Sequence, residues 1–356
     1  MECFTHSAEA IGNDEKLRMP AKRMTRFISD WRGGDRWVSM QAPPRQLVTQ
    51  PWLTRSMPMK RFPSAILVAL VLGFGGSLAA KEKRAMAPIW RVSDGDSTVF
   101  LAGSVHLLRE GDLPLPDAFD RVYARSEELV FEIDMARMSL PETASQMREL
   151  GSLPEGESLS DRLAEKTVDR LRAYLRRRGV HEDFFETYAP GMIFLLLSSF
   201  EAKRHGAKPE LGLEATYYTK SVKDGKPSRG LETIAFQLSR FDHFEPAKVE
   251  ELINRALDET ADSGETLDKM TAAWKTGNAS ELARVISEEE TFSPELREVL
   301  LIERNRNWIP EIEKALAKEH DVMFLVGAAH LVGEESVVDL LRRKGLEVTQ
   351  LTAGDR

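Results

Sequence analysis

The sequence predicts an α/β protein whose mixed sheet is built from two similar strand–turn–helix–strand arms, with a large helical insertion between them. The first observation is a near repeat: residues 99–107 are VFLAGSVHL and residues 323–331 are MFLVGAAHL. Each copy begins as a short apolar run, which is typical of a buried strand. The second observation is the helical spacing of apolar residues between the copies, which predicts the insertion over about residues 138–318.

Each arm follows the same order of elements. In the first arm we predict strands at 89–92 and 98–102, an amphipathic helix around 119–123 and a buried strand at 129–134. In the second arm we predict a strand at 322–326, a helix around 337–341 and a final strand at 346–351. A strand, a helix and a second strand form the βαβ unit of α/β proteins. Because the arms lie far apart in the chain, distant elements must close the sheet.

The insertion is predicted to be mainly helical. Leu159, Leu163, Leu171 and Leu175 keep helical spacing, and further helices are expected at 190–197, 233–241, 246–262, 278–289 and 294–318. Pro310 predicts a kink in the last of these. Residues 227–232 predict a short extended segment.

Charge and composition narrow the classes of function. The net charge is −8, but residues 1–60 hold 10 Lys/Arg against 6 Asp/Glu, so the chain from residue 81 onward carries −13. An acidic body argues against nucleic acid as a partner, because phosphate binding needs a basic surface. The single cysteine, Cys3, excludes an internal disulfide and a thiolate zinc site.

Residues 57–80 have the pattern of an export signal. A basic start is followed by an apolar core and a small-x-small cleavage site. The core is too short to span a membrane, which takes roughly 20 apolar residues. We therefore expect a periplasmic or secreted protein without a stable membrane span in the mature chain. Residues 1–56 are interpreted as an upstream artefact of the start codon or as a disordered tail, and the alternative to cleavage is an uncleaved N-terminal anchor.

The two Gly-x-x-His turns are the strongest chemical signal. Gly103 and Gly327 end their strands, and His106 and His330 follow three positions later. Ligands bind at the carboxyl edge of α/β sheets, so two such turns side by side would form a metal site or a catalytic pair. The alternative is that both are unrelated turn histidines.

Polar residues in apolar patterns supply further candidates. Glu132 and Asp134 interrupt a buried strand, where a charge must be paired or coordinating. We favour Glu132 as metal ligand or general base over Asp134, and the alternative is a salt bridge to an arginine. Arg304 and Asn305 fall on or beside the apolar stripe of the helix at 294–318, and the alternative is a solvated patch.

Two glutamates occur in similar triplets. Glu214 and Glu232 each follow Gly-Leu, near the expected cleft. Either could contribute to the site, although Glu232 could simply cap the helix that follows it.

These motifs together resemble the TraB/PrgY/GumN family, which includes the Tiki proteases of animals, over residues 88–352. They are the paired Gly-x-x-His turns, Glu132, the segment 230–233 with Gln237, and Arg304-Asn305. The resemblance implies the fold of the erythromycin-esterase and ChaN-like proteins and a divalent-metal peptidase supported by manganese or cobalt, with zinc also possible. It implies that His106, His330 and Glu132 hold the metal, Glu132 also serving as base, and that Arg304 and Asn305 orient substrate or ligand.

Three functional hypotheses follow from the sequence. The first is an extracytoplasmic metal-dependent hydrolase that acts on a peptide or protein through metal-activated water, with Arg304 stabilising the developing oxyanion. The second is a non-catalytic envelope protein that binds metal, haem or a peptide signal. The third is an interaction module in which the repeated motifs only shape turns.

Overall fold

The computed structural model describes residues 85–93, 98–288 and 293–352. The predicted artefact or tail at 1–56, with Cys3, and the predicted export signal at 57–80 lie outside the described residues. Within the described ranges, no helix is both long and apolar enough to cross a membrane.

The strands described form one mixed sheet with the order β4-β3-β5-β2-β1-β6. They are β1 (Ala85–Ser93), β2 (Thr98–Ser104), β3 (Glu128–Ile133), β4 (Ser228–Glu232), β5 (Val322–Gly327) and β6 (Glu347–Thr352). Strands β2, β5, β3 and β4 run parallel to one another, whereas β1 pairs antiparallel with both β2 and β6. The predicted α/β class with a mixed sheet is confirmed.

Helices connect these strands and account for most of the long segment between β3 and β5. They are α1 (Asp117–Arg125), α2 (Pro141–Gly151), α3 (Glu165–Arg177), α4 (Pro190–Arg204), α5 (Leu213–Asp224), α6 (Ile234–Leu238), α7 (Pro246–Glu259), α8 (Ser263–Thr276), α9 (Ala279–Glu288), α10 (Pro294–Arg297), α11 (Glu303–Leu316) and α12 (Val337–Arg343). A polar segment at 227–232, expected to be merely extended, joins the sheet as its edge strand β4.

Strand β5 lies between β2 and β3 and closes the sheet across the insertion. Ser104 of β2 is paired with Gly327 of β5, so the chain leaves both strands at the same level of the sheet. The interior residues of β5 are all buried, because neighbours on both sides and helices above and below exclude water from them. This pairing places the two Gly-x-x-His turns side by side.

The helix predicted over 294–318 consists of three pieces. A π turn at Glu298–Ile302 separates α10 from α11, and such turns are frequent at functional sites. Helix α11 continues through Pro310. Trp308 and Ile312 are buried on either side of it, so the apolar stripe keeps its phase. The π turn brings the Leu300 carbonyl to the Arg304 side chain, whose Nη1 donates to it at 2.9 Å.

A tryptophan far from the motifs fixes the end of β2. Trp274 on α8 is fully buried, stacks on Phe119 at 5.6 Å between ring centroids, and donates from Nε1 to the Gly103 carbonyl at 2.8 Å. Full burial of a large aromatic ring contributes on the order of 2–3 kcal/mol to stability. The insertion therefore stabilises the strand from which the first motif turn leaves.

Candidate functional site

The candidate site lies where β2, β5, β3 and β4 all end. Because parallel strands present their carboxyl ends at one edge, His106 after β2, His330 after β5, Glu132 near the end of β3 and Glu232 at the end of β4 share that edge. The structure brings eight of the predicted site residues together at this edge: His106, His330, Glu132, Glu232 and Arg304, with Gly327, Asn305 and Glu214 in contact with them.

Gly327 is the point on which the site converges. A Cβ atom on Gly327 would lie 3.0 Å from Glu132 Oε1, 3.6 Å from His330 Cδ2 and 3.8 Å from His106 Nε2. Any larger residue would fill the space that these three side chains surround, because a methyl group needs more room than 3.0 Å allows. Gly103 has a different role: its Cβ would meet Ala328 Cβ and the Pro88 carbonyl at 3.0 Å, so it permits close backbone packing.

His330 is buried and rigidly oriented. Asn305 Nδ2 donates to the Glu335 carbonyl at 2.9 Å, which identifies Asn305 Oδ1 as the acceptor, at 2.6 Å, of the proton on His330 Nδ1. The lone pair of this tautomer is on Nε2, 3.9 Å from Glu132 Oε1. The Trp308 ring lies 4.3 Å from the imidazole. Burial lowers the pKa of His330 to about 3, so the ring is neutral at physiological pH.

His106 has the opposite environment. Its side chain is 63% exposed, and its Nδ1 lies 2.9 Å from Glu214 Oε1, which also accepts from the Ser104 hydroxyl. The Glu214 carboxylate raises the pKa of His106 to about 9. Glu214 is itself largely buried, and its Oε2 atom has no hydrogen-bond partner among the described residues. Glu214 thus aims Nε2 of His106 toward Gly327, as carboxylates commonly orient catalytic and metal-binding histidines.

Glu132 is a buried carboxylate held on both oxygens. Its Oε1 accepts from the Gly327 N–H at 2.6 Å, and its Oε2 accepts from Arg304 Nη2 at 2.6 Å and from Gln237 Nε2 at 3.4 Å. Burial alone would raise the pKa of this carboxyl, but the Arg304 guanidinium, the protonated His106 and the Gly327 N–H together lower it well below its usual range. Glu132 is therefore an anion under all physiological conditions.

Arg304 bridges two carboxylates and is 8% exposed. Its Nη2 lies 2.6 Å from Glu132 Oε2 and 2.9 Å from Glu232 Oε2, and its Nε donates to Glu232 as well. Trp308 Nε1 donates to Glu232 at 2.8 Å. Each guanidinium nitrogen thus already has an acceptor, which suits a residue that positions Glu132 better than one that stabilises an oxyanion.

Asp134 does not reach this network. It follows β3, and its Oδ1 accepts from the Ala136 N–H at 3.0 Å, which closes the turn after the strand. Strand β3 includes Glu132 but ends at Ile133, so Asp134 lies beyond the end of the strand.

The donor atoms fit a divalent cation in kind. Two imidazole nitrogens and a carboxylate oxygen are common ligands of zinc, cobalt and manganese. Two ligands of a tetrahedral ion lie about 3.4 Å apart, so the 3.9 Å between His330 Nε2 and Glu132 Oε1 exceeds that spacing only slightly. In the described parts of the chain, however, no three His, Cys, Asp or Glu side chains are already close enough to form a metal-binding group.

Comparison with known proteins decides the relationship. Residues 88–350 match the TraB/PrgY/gumN family, which is most of the chain. The chain belongs to this family. The predicted resemblance is thereby confirmed, and every residue of the candidate site lies within the matched region.

Individual relatives are distant. "Uncharacterized protein YbaP" of Escherichia coli is 25% identical over 248 residues, which cover 70% of this chain and 89% of YbaP. "Metalloprotease TIKI1" of Homo sapiens is 24% identical over 322 residues, covering 75% of this chain and 62% of TIKI1. "Metalloprotease TIKI2" of Danio rerio is 22% identical over 301 residues, covering 70% of this chain and 57% of TIKI2. No solved structure matches significantly.

Several residues that contribute to the site were not predicted from the sequence. Ser104 bonds to Glu214, and Trp308 contacts both His330 and Glu232. A Cβ on Gly212 would clash with the His106 carbonyl, so this glycine admits the motif turn against α5. The signal that could have found Gly212 is its position two residues before Glu214.

Proposed function

We propose that this protein is an extracytoplasmic metal-dependent hydrolase that cleaves peptide bonds. The observation that carries the proposal is the convergence of His106 Nε2, the His330 ring and Glu132 Oε1 around Gly327, where a Cβ would lie within 3.8 Å of all three. The TIKI relatives are named as metalloproteases, which supports the peptide-hydrolase class. The predicted export signal at 57–80 supports an extracytoplasmic site of action, whether or not that signal is cleaved.

His106, His330 and Glu132 would hold the metal ion, which on binding would displace the proton that His106 Nε2 carries at neutral pH. We propose manganese or cobalt on the strength of the family resemblance, with zinc compatible with the same donors. A bound divalent ion would supply Lewis acidity and lower the pKa of a water molecule. With His330 neutral and His106 paired to Glu214, the group Glu132–Arg304–Glu232 carries one net negative charge, which favours a cation at this edge of the sheet.

The other residues of the site position the three proposed metal ligands. Asn305 fixes the tautomer of His330, Glu214 orients His106, and Arg304 holds Glu132 between β3 and α11. Because the pKa of Glu132 lies far below neutrality, this carboxylate is a weak proton acceptor and a good anionic ligand. We therefore assign Glu132 primarily as a ligand, and Arg304 as its positioning residue.

Metal content tests the proposal directly. The protein is purified without chelators, loaded in turn with manganese, cobalt or zinc, and analysed by elemental mass spectrometry beside the double variant His106→Ala/His330→Ala. The matched control is His181→Ala/His243→Ala, which removes two exposed histidines outside the site. We expect near-stoichiometric metal in the wild type and the control, and its loss in the site variant.

Turnover is then measured on a mixed-sequence peptide library with the metal that binds. Cleavage by the loaded protein, absent from the site variant, would establish the peptidase. Stoichiometric metal without cleavage of any library member would instead assign the chain to the non-catalytic binding class. Equal metal content in wild type and site variant would refute the proposed centre.

A further inference from the structure

Strand β4 leaves one edge of the sheet without a partner. It is the outermost strand on its side and pairs only with β3 in the described parts of the chain. The Leu129 N–H donates to the Pro227 carbonyl at 3.0 Å, which fixes the phase of the parallel ladder. Residues of a strand alternate in the direction of their main-chain groups, so those of Ser228 and Gly230 face outward. No main-chain hydrogen bond joins β4 to any other described element.

The opposite edge of the sheet differs. On β6 the Val348 carbonyl accepts from Arg342 Nε at 3.1 Å and Nη2 at 2.8 Å, so a guanidinium group covers that edge. Folded proteins commonly protect edge strands in this way because unpaired N–H and C=O groups invite another strand. The contrast singles out β4 as the edge that is open to pairing.

A cleft runs beside β4. Its volume is about 660 Å³, within the range of roughly 300–1,000 Å³ that is typical of ligand sites. It is bordered by β4, by the segment that follows β3, and by α2, α6 and α11. Its lining includes residues 229–232, Asp134, Thr143, Phe236, Trp308 and Glu311. Because Gly230 has no side chain, the cleft meets the main chain of β4 there, beside aromatic and charged side chains. Ser228, whose main-chain groups also face outward, lies just outside this lining at the start of the strand.

The cleft borders the candidate site through one shared residue. Glu232, the last residue of β4, lines the cleft, and its carboxylate lies 2.9 Å from Arg304 Nη2. The same nitrogen lies 2.6 Å from Glu132 Oε2. The Arg304 side chain thus joins the end of the open edge to the proposed metal ligand, so a chain that follows β4 toward its carboxyl end reaches the outer side of this ion-pair network.

We propose that the outer edge of β4 binds the substrate as an extended peptide strand. This inference rests on the proposed peptidase function and specifies how its substrate is held. An extended main chain is the ligand whose alternating N–H and C=O groups match those of Ser228 and Gly230. Recognition through main-chain groups tolerates many side chains but requires an unfolded segment, so the site selects flexible termini and loops over folded domains.

The test uses four blocked hexapeptide libraries, randomised at every position. One has an unmodified main chain, one is N-methylated at positions 1, 3 and 5, one at positions 2, 4 and 6, and one, the doubly methylated library, at all six positions. Amide hydrogen exchange of the full protein is followed with a chelator present, so that binding is measured without turnover. We expect the unmodified library to slow exchange in β4 about tenfold and to leave β6 unchanged.

The methylated libraries decide whether main-chain pairing is involved. In a bound peptide strand, every second N–H points toward β4. In a given binding register, therefore, only one of the two methylation patterns, odd or even positions, removes an N–H that pairs with β4. Since methylation at either phase also blocks half of the registers, we expect both libraries to protect β4 less than the unmodified one, and a doubly methylated library not to protect it at all. Equal protection by all libraries would show that side chains hold the peptide and would overturn the proposal.

A protein variant provides an independent measurement. Ser228→Pro removes an outward N–H, which an edge strand tolerates, whereas Ser228→Ala keeps it. We expect peptide affinity to fall about fivefold to tenfold in the proline variant only, with both variants unfolding at similar temperatures. Unchanged affinity in a folded Ser228→Pro protein would contradict the proposal.

Other outcomes separate this inference from the function on which it rests. Peptide binding to β4 without cleavage by the metal-loaded protein would retain the edge site and refute the peptidase. Cleavage by the metal-loaded protein without protection of β4 would retain the peptidase and refute the edge site. Protection that rises with protein concentration in the absence of peptide would assign the edge to a second copy of this chain.

Discussion

The two Gly-x-x-His turns share a sequence plan and a level in the sheet, yet their histidines occupy opposite environments. His330 is 3% exposed, bonded to Asn305 and covered by Trp308, and its pKa is lowered to about 3. The side chain of His106 is 63% exposed, and its only described acid–base partner within hydrogen-bonding distance, Glu214, raises its pKa to about 9. The His330 imidazole is therefore rigid and neutral, whereas the His106 imidazole is largely exposed to solvent and paired with a carboxylate.

The site therefore has a fixed half, which contains His330, Glu132 and Arg304, and an adjustable half, which contains His106. His330, Glu132 and Arg304 are packed between β3, β5 and α11, so their geometry is part of the core. His106 is held from one side only and can move toward a ligand at small cost. The following predictions test the difference between the two halves, in order of decreasing expected effect.

Arg304→Leu should destabilise the protein by about 3–5 kcal/mol, because it leaves the Glu132 and Glu232 carboxylates buried without their shared cation. Arg306→Leu is the matched control, since Arg306 is exposed and its ion pairs with Glu298 and Glu335 contribute at most about 1 kcal/mol. Urea unfolding of both variants measures the difference. Equal losses of unfolding free energy in the two variants would show that the Arg304 ion pairs stabilise the protein no more than the exposed ion pairs of Arg306.

His330→Ala should cost about 2–4 kcal/mol of unfolding free energy, because it opens a cavity beside Trp308 and leaves Asn305 Oδ1 unsatisfied. His106→Ala should cost less, about 1 kcal/mol, since solvent screens the pairing of its largely exposed side chain with Glu214. Both variants should nevertheless lose the metal. Thermal unfolding of the metal-free proteins makes the comparison, and a His106→Ala protein destabilised as much as His330→Ala would contradict the fixed and adjustable halves.

The orienting partners should matter for metal affinity in both halves. Asn305→Ala and Glu214→Gln should each weaken manganese binding about 10-fold to 100-fold, as is usual when the partner of a histidine ligand is removed. Asn305→Asp keeps the acceptor for His330 Nδ1 and should restore most of that loss. Calorimetric titration gives the affinities, and no change in either variant would exclude these histidines as ligands.

The two histidines should give stability opposite dependences on pH in the metal-free protein. His330 stays neutral in the folded state down to about pH 3, whereas the unfolded chain gains a proton near pH 6.5, so stability falls as pH drops below 6.5. His106 stays protonated to about pH 9, so its contribution is complete below pH 6.5 and is lost as pH rises through 9.

Denaturant unfolding across pH measures these slopes, with a chelator present. His330→Gln should flatten the acid slope and His106→Gln the alkaline one. The His106 effect should be the smaller, because solvent screens its pairing with Glu214. A His106→Gln protein with an unchanged alkaline slope would indicate that this pairing does not persist in solution.

Much of the fold follows from local sequence. The apolar runs at 99–102 and 323–326, with glycine after each, predicted β2, β5 and the turns that carry His106 and His330. Polar residues in apolar patterns marked Glu132 and Arg304, because a buried charge needs a partner whatever the fold. These signals succeed since they depend on periodicity and burial within one segment.

The partners of those residues did not follow from sequence. The contacts of Gln237 with Glu132, of Trp308 with Glu232, and of Glu214 with His106 join segments that only the fold brings together. The extended segment at 227–232 gave no sign that it would become the edge strand beside the site. Hydrogen bonds between distant segments leave no periodic trace in either one.

The sequence by itself determined the α/β class, the two Gly-x-x-His turns and the charged residues that must be satisfied in the interior. Only the tertiary structure decided that the two turns differ. The local patterns around His106 and His330 are nearly the same, but α11 covers one imidazole with Asn305 and Trp308, while α5 contacts the other through Glu214 alone. Burial and pairing are set by what packs against a residue, and they determine whether an imidazole is neutral or charged.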